Sequence, residues 1–173
     1  MTKARSKSRT GSLPQWIEPM AATLTDKRFA DPAWTFERKL DGIRVLAYKN
    51  GKDVTLWSRN RLPLTGNYPA VVSAIAKLKP KTLILDGEAT WAWGSLGDGD
   101  YHVFDILFLD GADLRQLPLE ARRVHLRRLK LKLPLAKSLK RPQLLLIKRD
   151  ATCRRFLSKS TRLYLSCHCA LIL

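Results

Sequence analysis

The stretch Phe36-Glu37-Arg38-Lys39-Leu40-Asp41-Gly42-Ile43-Arg44 organises the chain, because it sets a lysine, a carboxylate, a glycine and an arginine side by side before a strand-like run. A lysine beside an Asp-Gly turn is often only solvated. A lysine becomes a nucleophile when burial or neighbouring cations depress its pKa. The residues alone leave both interpretations of Lys39 open. Gly42 would let the backbone pass close to a ligand, and Arg44 would offer a forked donor to ribose or phosphate oxygens.

The hydrophobic pattern on either side of this stretch predicts short strands with a few helices between them. Asn-Gly between apolar runs is a strong hairpin signal, so Lys49-Asn50-Gly51-Lys52 should join two strands. The predicted strands are Ile43–Tyr48, Asp53–Ser58, Thr82–Trp93 and Tyr101–Leu109, and the predicted helices are a short one near Met20–Leu24, one after Asn67 and one over Pro118–Leu131. Without βαβ alternation, the class is α+β with mainly antiparallel sheets and flanking helices.

The charge of the chain points to a polyanionic partner. The 173 residues carry a formal net charge of +17, which attracts nucleic acid electrostatically. The charge is uneven: residues 1–123 hold 19 Lys+Arg and 14 Asp+Glu, whereas residues 124–173 hold 13 and 1. We therefore predict a boundary near Arg123, with a disordered basic tail at 1–12, a globular part at 13–123 and a basic Leu/Lys/Arg-rich segment at 124–173.

The cysteines and the termini argue against secretion and against a membrane protein. All three cysteines lie late in the chain, at Cys153, Cys167 and Cys169, and an odd number so placed is not a disulfide framework. Zinc binding by Cys167-His168-Cys169 is disfavoured because no second ligand pair exists. His102 is interpreted as a strand residue, not a base. The basic start lacks the apolar segment of a signal peptide, so the expected location is cytoplasmic.

Several short motifs, taken in order, resemble one enzyme family. Lys39 to Arg44 resembles the Lys-x-Asp-Gly-x-Arg nucleotidyl-lysine motif of ATP-dependent DNA ligases, RNA ligases and capping enzymes. The flanks are most similar to bacterial ATP-dependent DNA ligases of the end-joining type: Pro19-Met20-Ala21, Trp34-Thr35-Phe36-Glu37, Ser58-Arg59-Asn60, Leu85-Asp86-Gly87-Glu88 and Phe104-Asp105-Ile106-Leu107. The resemblance covers residues 13–123. It implies the N-terminal part of a nucleotidyltransferase (ATP-grasp-like) adenylation domain, incomplete in this chain.

The resemblance also implies roles for individual residues. Lys39 would attack the α-phosphate of ATP and hold AMP. The residues implied in nucleotide binding are Glu37 against adenine, Asp41 in the loop, Arg44 at ribose or phosphate, Glu88 at ribose and Phe104 stacked on adenine. Glu88 would also bind Mg²⁺, which the triphosphate requires. Arg59 and Arg61 would contact DNA. Asp86 and Glu88, two apart, should share a strand face.

The implied activity is ATP-dependent ligation of nicked or broken double-stranded DNA in repair and recombination, at the bacterial nucleoid and alongside other end-joining proteins. Beyond Arg123 the chain lacks the family's Glu-Gly-(Val/Ile)-x-Lys motif followed by a Lys-x-Lys motif. We therefore expect a fragment with impaired activity, whose last fifty residues are truncated, frame-shifted or diverged. Two alternatives stay open: a non-catalytic, basic nucleic-acid-binding remnant, and an RNA ligase or capping-type nucleotidyltransferase.

Overall fold

The computed structural model describes residues 11–21, 23–24, 34–40, 42–90 and 100–131, together with the strands over 143–148 and 170–172. The strands are β1 (Thr23–Leu24), β2 (Trp34–Lys39), β3 (Gly42–Asn50), β4 (Asp53–Ser58), β5 (Thr82–Thr90), β6 (Tyr101–Leu109), β7 (Ala112–Asp113), β8 (Gln143–Lys148) and β9 (Ala170–Ile172). The helices are α1 (Pro69–Ala76) and α2 (Leu119–Arg128), and a 3₁₀ turn covers Thr65–Asn67. No helix among the described residues is long and apolar enough to cross a membrane.

The strands of the described part form two sheets. One has five strands in the order β4-β3-β5-β6-β7, and every neighbouring pair in it is antiparallel. The other has the order β1-β9-β8-β2, in which only β8 and β9 are parallel. The predicted α+β class with mainly antiparallel sheets is confirmed.

The predicted hairpin, β3 and β4, forms one edge of the five-stranded sheet. Asn50 pairs with Asp53, so the loop is Gly51-Lys52, one residue later than the Asn-Gly signal suggested. Gly51 has φ +63°, which is costly for residues with a Cβ and routine for glycine. The Lys49 ammonium then donates to the carbonyl oxygens of Gly51 and Pro80, both at 2.6 Å, and ties the turn to the start of β5.

Each face of the five-stranded sheet buries its own apolar cluster. Side chains alternate along a strand, and one set, including Val45, Ala47, Leu83 and Leu85, packs with Val71 and Ile75 of α1. The other set comprises Leu46, Tyr48, Ile84, Leu107 and Phe108, and packs with Ile17. The Ile17 N–H donates to the Tyr48 hydroxyl at 2.8 Å. The N-terminal segment therefore lies across this second face.

Two helix predictions have different outcomes. The helix predicted over Pro118–Leu131 is confirmed as α2. The short helix predicted near Met20–Leu24 is wrong, because Thr23–Leu24 forms β1 and pairs with β9. A helix of one turn gains too few hydrogen bonds to offset its nucleation cost, whereas a neighbouring strand supplies partners at once.

A buried ion pair fastens α2 to β6. Arg122 is 0% exposed and donates from Nε and Nη2 to the two carboxylate oxygens of Asp105, both at 2.8 Å. Its Nη1 donates to the Leu117 carbonyl at 2.6 Å. Burial raises the pKa of Asp105, and the hydrogen bonds from Arg122 oppose that rise. Helix α2 runs through the boundary predicted at Arg123, and that boundary stays a prediction.

Candidate functional site

Three of the polar residues singled out in the sequence lie together on the second face of the five-stranded sheet. Arg44 on β3 pairs in register with Glu88 on β5, and Leu46 pairs with Asp86. Directly paired residues share a face, so Arg44, Asp86 and Glu88 lie on the side that also carries Leu46. The spacing of two between Asp86 and Glu88 predicts this arrangement.

Arg44 is held in place from three sides. Its Nε and Nη2 donate to the Asp86 carboxylate at 2.9 and 2.6 Å, and its Nη1 donates to the Met20 carbonyl at 2.6 Å. Its guanidinium carbon lies 5.5 Å from the centre of the Phe104 ring, within the range of a cation–π contact. The Asp86 side chain is 2% exposed and that of Arg44 is 18% exposed. The sequence predicted a ribose or phosphate contact for Arg44 and gave no sign of these protein partners.

A β-bulge places Phe104. On β6, Val103 pairs with Gly87 and Asp105 pairs with Asp86, so Phe104 is an extra residue between two paired ones. Bulges of this kind redirect a side chain and are frequent beside active sites. Phe104 thereby lies against Arg44, on the face that carries Glu88. The adenine contact implied for its ring stays a prediction.

Contacts within the protein explain why the motif has glycine at position 42. A Cβ at Gly42 would lie 2.2 Å from the Ala89 carbonyl oxygen and 3.1 Å from Cγ of Glu88. Gly42 therefore allows the start of β3 to lie close to β5, whereas the sequence predicted that it lets the backbone pass close to a ligand. Lys39 ends β2, three residues earlier, and its Cα lies at most about 11 Å from that of Gly42 along an extended chain. The Lys39 side chain and all of Asp41 are outside the described residues.

Glu37 pairs with an arginine that the sequence did not single out. Its carboxylate contacts the guanidinium of Arg123 on α2, and the two side chains are only 18% and 24% exposed. Burial, and secondly the charge of Arg127, lower the pKa of Arg123. Eighty-six residues separate the partners in the chain, so no local pattern could have indicated the pair.

The two arginines predicted to contact DNA lie in the loop after β4 and are both exposed. Arg61 has φ +61° and stacks its guanidinium over the Trp16 ring, 4.7 Å from the centroid. It also lies 3.9 Å from the Glu18 carboxylate, which accepts a hydrogen bond from Trp16 Nε1. Arg59 and Arg61 therefore form an exposed basic point beside the N-terminal segment, and their contact with DNA stays a prediction.

His102 is a residue of strand β6, as predicted, and lies on this face. It pairs in register with Glu88, and among the described residues its buried Nε2 has no hydrogen-bond partner. No group of three His, Cys, Asp or Glu side chains in the described part of the chain could hold a metal ion. Metal binding by Glu88 stays a prediction, and Cys153, Cys167, His168 and Cys169 lie outside the described residues.

Comparison with known proteins identifies the same family as the motifs. Residues 18–95 match the ATP dependent DNA ligase domain. Relatives include a "Probable DNA ligase" of Beutenbergia cavernae, 31% identical over 132 residues covering 64% of this chain and 26% of that protein. Another is the "Multifunctional non-homologous end joining protein LigD" of Mycolicibacterium smegmatis, 30% identical over 133 residues covering 69% of this chain and 18% of that protein.

Solved structures share the fold. The ligase domain of M. tuberculosis LigD matches with a TM-score of 0.55 and 24% identity, over 69% of this chain and 50% of that one. Mycobacterial DNA ligase D complexed with ATP and MES matches with a TM-score of 0.52 and 26% identity, over 69% and 49%. The resemblance to ATP-dependent DNA ligases is therefore confirmed. The chain spans about a quarter of the length of the first curated relatives it matches.

Proposed function

We propose that this chain carries the nucleotide-binding half of a DNA ligase adenylation domain and that Lys39 is its nucleophile. The Lys39 amine, having lost a proton to solvent, forms a bond to the α-phosphorus of ATP while the bond to the pyrophosphate oxygen breaks. AMP then passes to the 5′-phosphate at a nick or break in double-stranded DNA, and the 3′-hydroxyl displaces it. The observation that carries the proposal is the Arg44–Asp86–Phe104 cluster beside Glu88, on the sheet whose first strand begins three residues after Lys39.

Each residue of the cluster has a separate task in this proposal. Phe104 offers a flat apolar surface for the purine. The Arg44 guanidinium, fixed by Asp86 and Met20, lies where it attracts the sugar and phosphate end of the nucleotide. Glu88 accepts hydrogen bonds from the ribose hydroxyls. A pre-positioned donor such as the Arg44 guanidinium stabilises developing charge without reorganising during the reaction.

Mg²⁺ fits the proposed site through Glu88. This ion keeps several waters and binds through one or two carboxylates together with substrate phosphates. Asp86 pairs with Arg44, and the Glu88 carboxylate on the same face is the proposed protein ligand. When bound, the ion neutralises charge on the triphosphate.

The test is transfer of radiolabelled α-phosphate from ATP to the protein. We expect label on the wild-type chain and none on Lys39→Ala. Lys52→Ala is the matched control, because Lys52 is exposed in the hairpin loop at the opposite end of β3 from Gly42. This variant should keep its label. A wild-type chain that takes up no label would contradict the catalytic proposal.

The charge of +17 favours a second candidate, a non-catalytic nucleic-acid-binding protein. Such a protein would bind DNA with steep salt dependence and would take up no label. An RNA ligase or capping-type transferase would take up label but would prefer another acceptor. Comparing nicked DNA with nicked RNA as AMP acceptor separates these cases. We place the chain in the cytoplasm at the bacterial nucleoid, working with other end-joining proteins.

A further inference from the structure

Two adjacent arginines of α2 hold strands of two different sheets. Arg122 donates to Asp105 on β6 of the five-stranded sheet, and Arg123 pairs with Glu37 on β2 of the four-stranded sheet. Successive residues of a helix project about 100° apart, so one turn of α2 can contact both strands. Arg127 and Arg128, one turn further along, are exposed. The contact with Glu37 is therefore particular to Arg123 among these three.

The ion pair meets an electrostatic need of the Glu37 carboxylate. A carboxylate that is only 18% exposed loses much of its hydration, and an opposite charge has to offset that loss. Its negative charge would also repel the phosphates of a nucleotide bound nearby. The positive charge of the Arg123 guanidinium offsets the lost hydration of Glu37 and reduces its repulsion of the phosphates. The guanidinium contacts Oε1 of Glu37, and this contact favours one orientation of the carboxylate.

An oriented carboxylate distinguishes the purines. Adenine carries an amino donor at the position where guanine carries a carbonyl acceptor, and a carboxylate only accepts. We propose that Arg123 is a positioning residue, which holds the Glu37 carboxylate so that the site accepts adenine and rejects guanine. This inference rests on the proposed function, because it places Glu37 against the base.

The experiment compares ATP and GTP affinity, measured by calorimetric titration of the whole chain with each nucleotide and magnesium. Arg123→Gln should lower ATP affinity about tenfold, the effect of losing one hydrogen bond to a charged group, and should leave GTP affinity nearly unchanged. Arg123→Lys should recover part of the preference. Arg128→Gln is the control on the same helix and should match wild type. The ratio of the two affinities is the decisive quantity, since a merely looser fold would weaken both nucleotides alike.

A double variant tests whether Arg123 acts through Glu37. Glu37→Gln alone should reduce the preference for ATP, and adding Arg123→Gln should reduce it no further. Independent, additive losses would overturn the inference, as would an ATP-to-GTP ratio in Arg123→Gln equal to that of wild type. In both cases wild-type ATP binding would leave the proposed function standing. A wild-type chain that binds neither nucleotide would overturn the proposed function and this inference together.

Discussion

Arg44 and Asp86, forty-two residues apart in the chain, form a two-point ion pair across strands β3 and β5, with nitrogen–oxygen distances of 2.9 and 2.6 Å. The pair fixes the guanidinium above Phe104. It joins the first ligase motif to the later Asp-Gly-Glu motif, and so it connects the two parts of the sequence on which the proposed function depends.

Replacing Asp86 with Asn should destabilise the fold by about 1–3 kcal/mol, because the mostly buried Arg44 side chain loses its charged partner. Urea unfolding at neutral pH measures the change. Asp53→Asn, in the exposed end of the hairpin, is the control and should stay within about 0.5 kcal/mol of wild type. Equal effects of the two substitutions would show that the Arg44–Asp86 pair adds nothing to stability.

Arg122→Met should be more damaging, at about 3–5 kcal/mol near neutral pH, because it leaves the Asp105 carboxylate buried without its counter-charge. The loss should depend on pH. Burial already raises the pKa of Asp105 and Arg122 opposes the rise, so the variant's folded pKa should lie further above the unfolded value of about 4. Folding then favours the protonated, neutral form of Asp105. The resulting contribution to stability is complete below the unfolded pKa and is lost as pH rises through the folded pKa.

Urea unfolding at about pH 4 and about pH 7.5 measures the free energy of unfolding of this variant. The deficit relative to the control should be larger at the higher pH. Arg128→Met, exposed on the same helix, supplies that control. A deficit of the same size at both pH values would mean that Asp105 does not titrate in the way its burial indicates.

Gly42→Ala should destabilise the chain by about 1–3 kcal/mol or more, as overpacking does, because the new methyl would lie 2.2 Å from the Ala89 carbonyl oxygen. Gly66 is the matched glycine, since a Cβ there meets nothing within 4 Å. Thermal unfolding followed by circular dichroism should show a clear drop for Gly42→Ala and little change for Gly66→Ala. A Gly42→Ala variant as stable as wild type would mean that β3 and β5 separate easily at this point.

Removing the two loop arginines should weaken DNA binding in a salt-dependent way. If Arg59 and Arg61 each contact a phosphate, the double change to Gln should reduce the slope of log affinity against log salt by about 2. The control is Lys77→Gln with Lys79→Gln, two exposed lysines after α1, on the opposite side of the sheet from the N-terminal segment. Fluorescence anisotropy with a nicked duplex gives the slopes. The same slope for both double variants would remove these arginines from the proposed interface.

The sequence by itself determined several local elements: the β3–β4 hairpin, β6 and the helices α1 and α2. The apolar run ended by Asp110-Gly111 predicted β6 at its observed bounds, Tyr101–Leu109, and the glycine of the hairpin lies in the two-residue loop. It also located the motif residues Lys39, Arg44, Glu88 and Phe104. These signals are readable because side-chain direction in a strand and backbone freedom at a glycine depend on a few neighbouring residues only.

Only the tertiary structure decided which charged groups meet. Arg44 with Asp86, Glu37 with Arg123, and Asp105 with Arg122 depend on strand register and on where α2 packs. The bulge that sets Phe104 against Arg44 shifts the register of β5 and β6 by one residue, and a second shift follows at Leu107; each shift changes which face the next side chains occupy. An arginine carries no local sign of its partner, because Coulomb attraction acts through space and the chain can close loops of many lengths at similar cost.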